Sequence, residues 1–522
     1  MELNNIEKTG NSGLSTQKEL FRTLFSLAFI IGVTLYVSLS AHPASHHHLL
    51  VIAAVIGGYM ALNIGANDVA NNVGPAVGSK ALTMTGAIII AAIFEATGAI
   101  IAGGDVVSTI KNSIIEPSLI NNTDTFIWLM MAALLAAAIW LNIATSLGAP
   151  VSTTHAIVGG VLGAGVAAGG MGIANWHMLG EIVASWIISP VLGGFIAAAF
   201  LYLIKRTITY QQDMLQAAIK VVPLLITLMT WSFSTYLLMK GLKNIWKLDF
   251  ITAGSIGLAI AICVYLVVKP RITKTAQQLD QSKESINTLF TLPLIFSAAL
   301  LSFAHGANDV ANAVGPLAAI NDAVFSGGVA SKAAIPLWVM LVGALGISIG
   351  LALYGPKLIR TVGSDITELD KMRAFCIAMS AAVTVIVASQ LGLPVSSTHI
   401  AVGAVFGVGF LRELLKYNDV KRIEEIKAHH EQADPEQVTV FLQTFSTASV
   451  EQKKLMLKEL KQETASLQLN KKERKSLKKV YRKELVKRSQ VYKIAVAWVT
   501  TVPLSAILAS LLFFMIRGML MP

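Results

Sequence analysis

The amino-acid sequence predicts an all-α polytopic membrane protein built as an inverted repeat, with broken helices, two re-entrant hairpins and a small helical cytoplasmic insertion. Three observations predict it. Hydrophobic residues fill 54% of the 522 positions and charged residues only 14%, with mean hydropathy +0.65, which excludes an ordinary soluble domain. Two phrases recur in the same order: GANDVANNVGP at Gly65–Pro75 and GANDVANAVGP at Gly306–Pro316, then GAPVSTTH at Gly148–His155 and GLPVSSTH at Gly392–His399. Their offsets, 241 and 244 residues, are nearly equal, so the chain carries a duplication. Lys and Arg, finally, are spread unevenly over the loops.

In chain order, residues 1–48 read as a cytoplasmic N-terminus and an extra first transmembrane helix at 21–40. That run is long for a signal sequence ending near Ala41 or Ala44, so it is expected to stay uncleaved. The first repeat, 49–204, has membrane-length runs of about 20 apolar residues at 49–75, 82–103 and 178–204. It also has a hairpin over 126–168, with arms 126–146 and 150–168. Residues 205–287 are connecting loops and two helices, 221–241 and 250–268. The second repeat, 288–411, holds 288–316, 331–354 and a hairpin over 373–411 with arms 373–391 and 395–411. Its last helix, 491–516, follows an insertion, so 491–522 completes the repeat. Cys263 and Cys376 lie in apolar stretches and read as packing residues.

The insertion, 412–490, carries 19 Lys/Arg against 12 Asp/Glu. Helix starts at Asp434-Pro435, at Ser449 with Gln452 and at Asn470 with Glu473 predict a small helical domain. Its basic run 471–488 would suit anionic lipid headgroups; nucleic acid is not expected as a partner. The positive-inside rule places this segment in the cytoplasm with 205–220, 269–287 and 355–372. The loops 41–48, 169–177 and 317–330 lack Lys and Arg, and only 242–249, with Lys243 and Lys247, runs against the pattern. The N-terminus is then cytoplasmic and the C-terminus external, in a plasma (cell inner) membrane. An odd number of crossings separates the two GANDVAN helices, which inverts one half relative to the other.

Both phrases hold chemistry that a bilayer penalises. Gly65, Ala66 and Gly74, with Gly306, Ala307 and Gly315, permit close backbone approach or a helix break, tolerated at membrane depth only where protein or a cavity receives the freed groups. Asn67, Asp68 and Asn71 in one half, and Asn308, Asp309 and Asn312 in the other, add carboxamides and a carboxylate. Hard oxygens of this kind suit a small cation, and a carboxylate alone can carry a proton. A purely structural Asp at a broken helix is the plainer alternative. Glu95 is a third intramembrane acid whose counterpart is Ile347, and His305 is replaced by Ile64 in the first half.

Ser152, Thr153 and Thr154 follow Pro150-Val151, as Ser396, Ser397 and Thr398 follow Pro394-Val395, a helix-start signature. A hairpin tip there offers free N–H groups, a positive dipole end and hydroxyls, enough for an oxyanion site without arginine. His155 and His399 either touch the ligand or, more simply, orient a neighbour; Gln390 is a further candidate. Lys80, Lys332, Arg373 and Lys493 sit near segment ends, so no basic side chain offsets Asp68, Asp309 and Glu95. A dianion there requires cations to enter with it, because each close like-charge pair in low dielectric costs several kcal/mol.

These residues resemble the inorganic phosphate transporter (PiT) family of cation–phosphate symporters, over 49–204, 288–411 and the last helix. The resemblance implies import of inorganic phosphate by alternating access at a midplane site. It implies phosphate held by the hydroxyls at Ser152–Thr154 and Ser396–Thr398, and Na⁺ in preference to H⁺ handled by Asp68 and Asp309 with their Asn neighbours and Glu95. No other cofactor is implied, and a homodimer is expected by analogy. Sodium-driven members usually carry another Glu before the second hairpin, where this chain has Ala378 in FCIAMSAA; ion stoichiometry hangs on that departure. The rivals are a sulfate permease of the same architecture, disfavoured because hydrogen phosphate brings a proton that a carboxylate can accept, and a proton-coupled metal–phosphate symporter. A Ser-His-Asp hydrolase is disfavoured by the spacing of Ser152 and His155 at a helix start, and a passive anion channel by the acids.

Overall fold

In the computed structural model, described for residues 2–40, 46–120, 122–147, 151–241, 248–326, 335–365, 369–429 and 488–520, the chain is helical. The first half comprises α1 (Glu2–Leu39), α2 (His47–Asn67), α3 (Ala70–Gly78), α4 (Met84–Ala102), α5 (Gly104–Asn112), α6 (Thr123–Ser146), α7 (Thr153–Gly169) and α8 (Trp176–Ile204). The connection holds α9 (Met214–Gly241), α10 (Phe250–Ala276) and α11 (Lys283–Leu289). The second half comprises α12 (Thr291–Asp309), α13 (Ala311–Ser326), α14 (Leu337–Asp365), α15 (Lys371–Gln390), α16 (Ser397–His429) and α17 (Arg488–Leu520). Among the described residues the only β pairing is a single bridge, Ile115 with Ala174. Twelve helical segments of the described residues are long and apolar enough to cross a membrane, and the expected spans fall on them, with α7 as a shorter apolar helix.

A polar centre is buried within an apolar core, and apolar side chains also cover the outer faces of helices. Ile187, Val191 and Phe195 form an i, i+4, i+8 stripe on α8 that is 65%, 69% and 72% exposed, a face only lipid would tolerate. Asn67, Asp68, Glu95, His305 and Asp309 are buried. Helix starts are capped by side chains: Thr83 Oγ1 accepts from Gly86 N, and Asp249 accepts from Ile251 and Thr252. Hydrogen bonds from the Thr252 side chain and then its backbone hold the exposed Asp249 carboxyl below the usual carboxylate range.

The duplication is visible in the packing. α2 lies on α14, while its counterpart α12 lies on α4. A Cβ at Gly65 would overlap the carbonyl oxygen of Ile347, and one at Gly306 would overlap that of Glu95. The next contact repeats too: Gly98 abuts the Phe303 carbonyl and Gly350 the Leu62 carbonyl. The second arms of the hairpins behave likewise. Gly159 and Gly163 of α7 sit against Val502 and Ala506 of α17, and Gly403 and Gly407 of α16 against Pro190 and Gly194 of α8. Small residues let these backbones approach closely, the main source of helix association where lipid removes the hydrophobic driving force.

One detail differs from expectation. The breaks in the GANDVAN helices are mild: Val69 keeps right-handed helical dihedrals, and Asn71 N and Asn72 N bond Asp68 O and Val69 O, three residues back. The first hairpin arms, α6 with 24 residues and α15 with 20, match the arms the sequence suggested to within a few residues. Most of the 412–490 insertion lies outside the described residues, as do Ala41, Ala44, Lys243, Lys247 and Lys332.

Candidate functional site

The four repeated phrases converge. Ser152 and Ser396 cap α7 and α16, their Oγ atoms accepting from His155 N (3.1 Å) and His399 N (3.3 Å). Each tip is tied to the GANDVAN helix of its own half by one carboxamide: Val151 N donates to Asn67 Oδ1 and Val395 N to Asn308 Oδ1, both at 3.3 Å. The opposite faces of the same carboxamides donate to Thr145 Oγ1 and Ser389 Oγ, each at 2.9 Å. Asn67 and Asn308 therefore position the tips.

The neighbouring side chains stitch the halves together. Asn71 donates to Thr398 Oγ1 (2.8 Å), and Asn312 donates to Thr153 Oγ1 (3.0 Å) and Thr154 Oγ1 (3.3 Å). Thr154 donates to the Val395 carbonyl (2.9 Å), so the tips touch each other directly. The acids receive hydroxyls: Thr153 Oγ1 donates to Asp68 Oδ2 (2.6 Å), Thr398 Oγ1 lies 3.5 Å from Asp68 Oδ1, and Ser397 Oγ is 3.3 Å from Asp309 Oδ2. All six hydroxyl residues are buried.

Asp68 and Asp309, expected beside one shared site, lie together. Ligand atoms of Asp68, His305 and Asp309 lie within 4.8 Å of one another. Two carboxylates this close repel by about 3 kcal/mol even at an effective dielectric of about 20. Asp309 Oδ1 and Asn312 Oδ1 are buried acceptors with no hydrogen-bond partner, and so is Asn72 Oδ1 nearby on α3. Vacant acceptors beside paired acids are the donor set a small hard cation takes.

Glu95 extends this centre. Its Oε1 accepts from Asn72 Nδ2 (2.7 Å), and its Oε2 meets His305 Nδ1 (2.7 Å). The far ring nitrogen, His305 Nε2, is 2.9 Å from Asp309 Oδ2. The sequence left His305 undecided and passed over Asn72, although the mismatch of GANDVANN with GANDVANA marked it. Counterparts of the three polar residues are Ala313, Ile347 and Ile64, all buried.

Other candidates are placed elsewhere. Gln390 is exposed and bonds Tyr236. His155 and His399 stack on Trp186 and Trp498 with centroids 3.8 and 3.6 Å apart, and neither ring activates Ser152 or Ser396. One basic side chain is buried after all: Lys111 of α5 pairs with Asp322 of α13. Neither was singled out in the sequence, because α5 is too short to read as a span. Ala378 is buried in α15.

The chain as a whole resembles known proteins. A family model described as the phosphate transporter family matches residues 64–509. The chain is 55% identical to "Putative phosphate permease" of Helicobacter pylori over 523 residues, 98% of each chain. It is 40% identical to a protein of Pyrococcus furiosus with the same description over 372 residues, 71% of this chain and 89% of that one. A solved structure titled "The sodium-dependent phosphate transporter" is similar at TM-score 0.74 and 31% identity, covering 91% of this chain and 100% of its own.

Proposed function

We propose that this chain, which belongs to the phosphate transporter family, imports inorganic phosphate in symport with cations, Na⁺ foremost, at the centre where its two halves interlock. It is a multi-pass membrane protein and not an enzyme. The observation that carries the reading is the crossed bonding of the hydroxyl tips: Thr153 is held by Asp68 of its own half and Asn312 of the other, Thr398 by Asn71 of the other half. In this reading Ser152, Thr153, Thr154, Ser396, Ser397 and Thr398 exchange these internal partners for phosphate oxygens. Na⁺, as co-substrate, takes the oxygens of Asp68, Asp309 and the adjacent Asn71 and Asn312. Glu95 joins the coupling through His305.

The physical logic is charge balance. A dianion brought beside Asp68 and Asp309 is repelled until cations reach the carboxylates, so cation binding precedes anion binding. The two related halves, inserted in opposite senses, would expose this centre to either side in turn, with the N-terminus cytoplasmic, the C-terminus external and the plasma membrane as its location. The hydroxyl-bearing hairpins read as re-entrant, the chain as divided after residues 48, 204, 287, 411 and 490, and a homodimer as its assembly. Proton coupling is the second reading, favoured by the unbroken Glu95–His305–Asp309 contact.

The test is phosphate uptake by purified protein in proteoliposomes under separately imposed Na⁺ and H⁺ gradients, with sulfate as competitor. A Na⁺ gradient alone should drive accumulation that excess sulfate leaves intact. Accumulation driven only by H⁺ would install the second reading, and uptake indifferent to both gradients would remove symport altogether.

A further inference from the structure

Four aromatic rings from four helices meet behind the hydroxyl tips. Trp186 of α8 lies on His155 of α7 with centroids 3.8 Å apart. His155 meets His399 of α16 edge to face at 4.4 Å and 86°. His399 stacks on Trp498 of α17 at 3.6 Å and 29°. The order Trp–His–His–Trp reads the same from either end, and exchanging the halves maps it onto itself. Both histidines are buried.

Their placement separates them from the ligand side. The hydroxyls of Thr153, Thr154, Ser397 and Thr398 point at Asp68, Asn312, the Val395 carbonyl, Asp309 and Asn71. The imidazoles, one residue further along each tip, turn instead to the tryptophans. His399 Nε2 and Trp498 Nε1 are buried without a hydrogen-bond partner, and the contacts of the stack are between ring faces and edges. Trp186 Nε1 adds a bond to the Pro394 carbonyl at 3.0 Å, pinning the second tip from the first half.

We propose that His155 and His399, clamped between Trp186 and Trp498, are positioning residues that fix the gap between the two hydroxyl tips and so match the site to an oxyanion of phosphate's size. The inference rests on the phosphate reading above and adds the element that sets its dimensions. Stacked rings have one separation and resist compression, as close-packed interiors do. The hydroxyl contacts that join one tip to the opposite half are bonds a ligand would replace, and the Asn67 and Asn308 bonds tie each tip only to its own half. The spacing therefore has to come from something the ligand leaves alone, and the ring stack is that element. Two tips held too far apart could still bind, but with hydroxyls misplaced for a small tetrahedral anion and better suited to a larger one such as arsenate.

Uptake kinetics in proteoliposomes, with phosphate as substrate and arsenate as competitor, test this. His155→Ala and His399→Ala should each raise KM for phosphate about tenfold while changing maximal rate less than about twofold, because they loosen binding geometry and not the translocation step. Discrimination against arsenate should fall in the same variants. His155→Phe and His399→Phe restore a flat ring without ring nitrogens and should recover most of KM and of the discrimination. Trp186→Leu should reproduce the KM effect from outside the tips, and it decides the matter if an alanine variant fails to fold. Phe variants as impaired as the Ala variants would overturn the proposal by placing the nitrogens in contact with substrate or proton. Ala and Leu variants with unchanged KM and unchanged arsenate discrimination would overturn it equally. Wild-type protein that takes up no phosphate would sink the parent reading, a result distinct from either.

Discussion

The two halves agree wherever they touch the hydroxyl tips and disagree at one cluster beside them. Asp68 and Asp309, Asn67 and Asn308, Asn71 and Asn312, and both Ser-capped tips are present twice and meet at one centre. Asn72, Glu95 and His305 form a connected polar cluster in contact with Asp309, whereas Ala313, Ile347 and Ile64 fill the equivalent place as buried apolar residues. The shared residues are what a symmetric anion such as phosphate requires, since it can be approached alike from both sides. The unshared ones break that symmetry at the carboxylates. A buried carboxylate–imidazole contact is an expensive way to hold helices together, and apolar residues do the same task at the equivalent place. Its retention on one side points to ion coupling.

The largest effect should come from erasing that difference. Glu95→Ile alone leaves Asn72 Nδ2 and His305 Nδ1 buried without their carboxylate partner and should cost about 3–5 kcal/mol of stability. The triple variant Asn72→Ala, Glu95→Ile, His305→Ile gives each position the residue found at its counterpart in the other half. It should regain most of the thermal midpoint in detergent, while uptake stays below about one hundredth of wild type. A stable triple variant that still concentrates phosphate would show the cluster to be structural and the halves equivalent in function.

A second one-sided feature lies away from the tips. Lys111 pairs with Asp322, Asn321 Nδ2 lies 3.4 Å from Asp322 Oδ1, and the position equivalent to Asp322 is Ala81. Lys111→Met should destabilise the protein by about 3–5 kcal/mol, because a carboxylate then loses its ammonium in a buried place, and adding Asp322→Leu should recover most of the loss. Uptake per folded molecule should change less than about twofold in the double variant. Thermal melts and uptake on the same preparations check this. A double variant that melts normally but does not transport would move Lys111 and Asp322 into the transport machinery and give the asymmetry a second functional site.

The repeated phrases made the centre legible in the sequence because they name their own partners: identical polar words in apolar helices have to meet something polar, and the nearest candidate is the other copy. That reasoning reached Asp68, Asp309, the carboxamides and all six hydroxyl residues. It did not reach the ring stack. Trp186 and Trp498 sit in VASW and AVAW, too weak a likeness to notice, and the 412–490 insertion shifts the second copy out of register with the earlier offsets. Nor did it reach the joining of Glu95 to Asp309, which depends on α12 packing across α4 of the opposite half. That exchange is a matter of close glycine contact, and a sequence without its fold carries no signal for which helix a glycine faces.

The smallest and sharpest test returns to residues that the halves share. Ser152 and Ser396 each accept a backbone N–H at a helix start, which leaves the hydroxyl proton available to donate to an oxyanion. The two roles come apart by substitution. Ser→Ala at either position removes both and should cost about 1 kcal/mol, whereas Ser→Gly should cost only a few tenths, because glycine is itself a good helix cap. Ser→Thr retains both roles. If the hydroxyl proton reaches phosphate, KM rises equally in the Ala and Gly variants although only Ala lowers the melting temperature. If the serines are caps alone, KM follows stability and the Gly variants transport as wild type does. The ordering should be the same at Ser152 and Ser396, since their cap bonds differ by only a few tenths of an ångström (3.1 and 3.3 Å). A KM rise at one serine and not at the other would mean that phosphate leans on one tip, and that the asymmetry seen at Glu95 extends into the cradle itself.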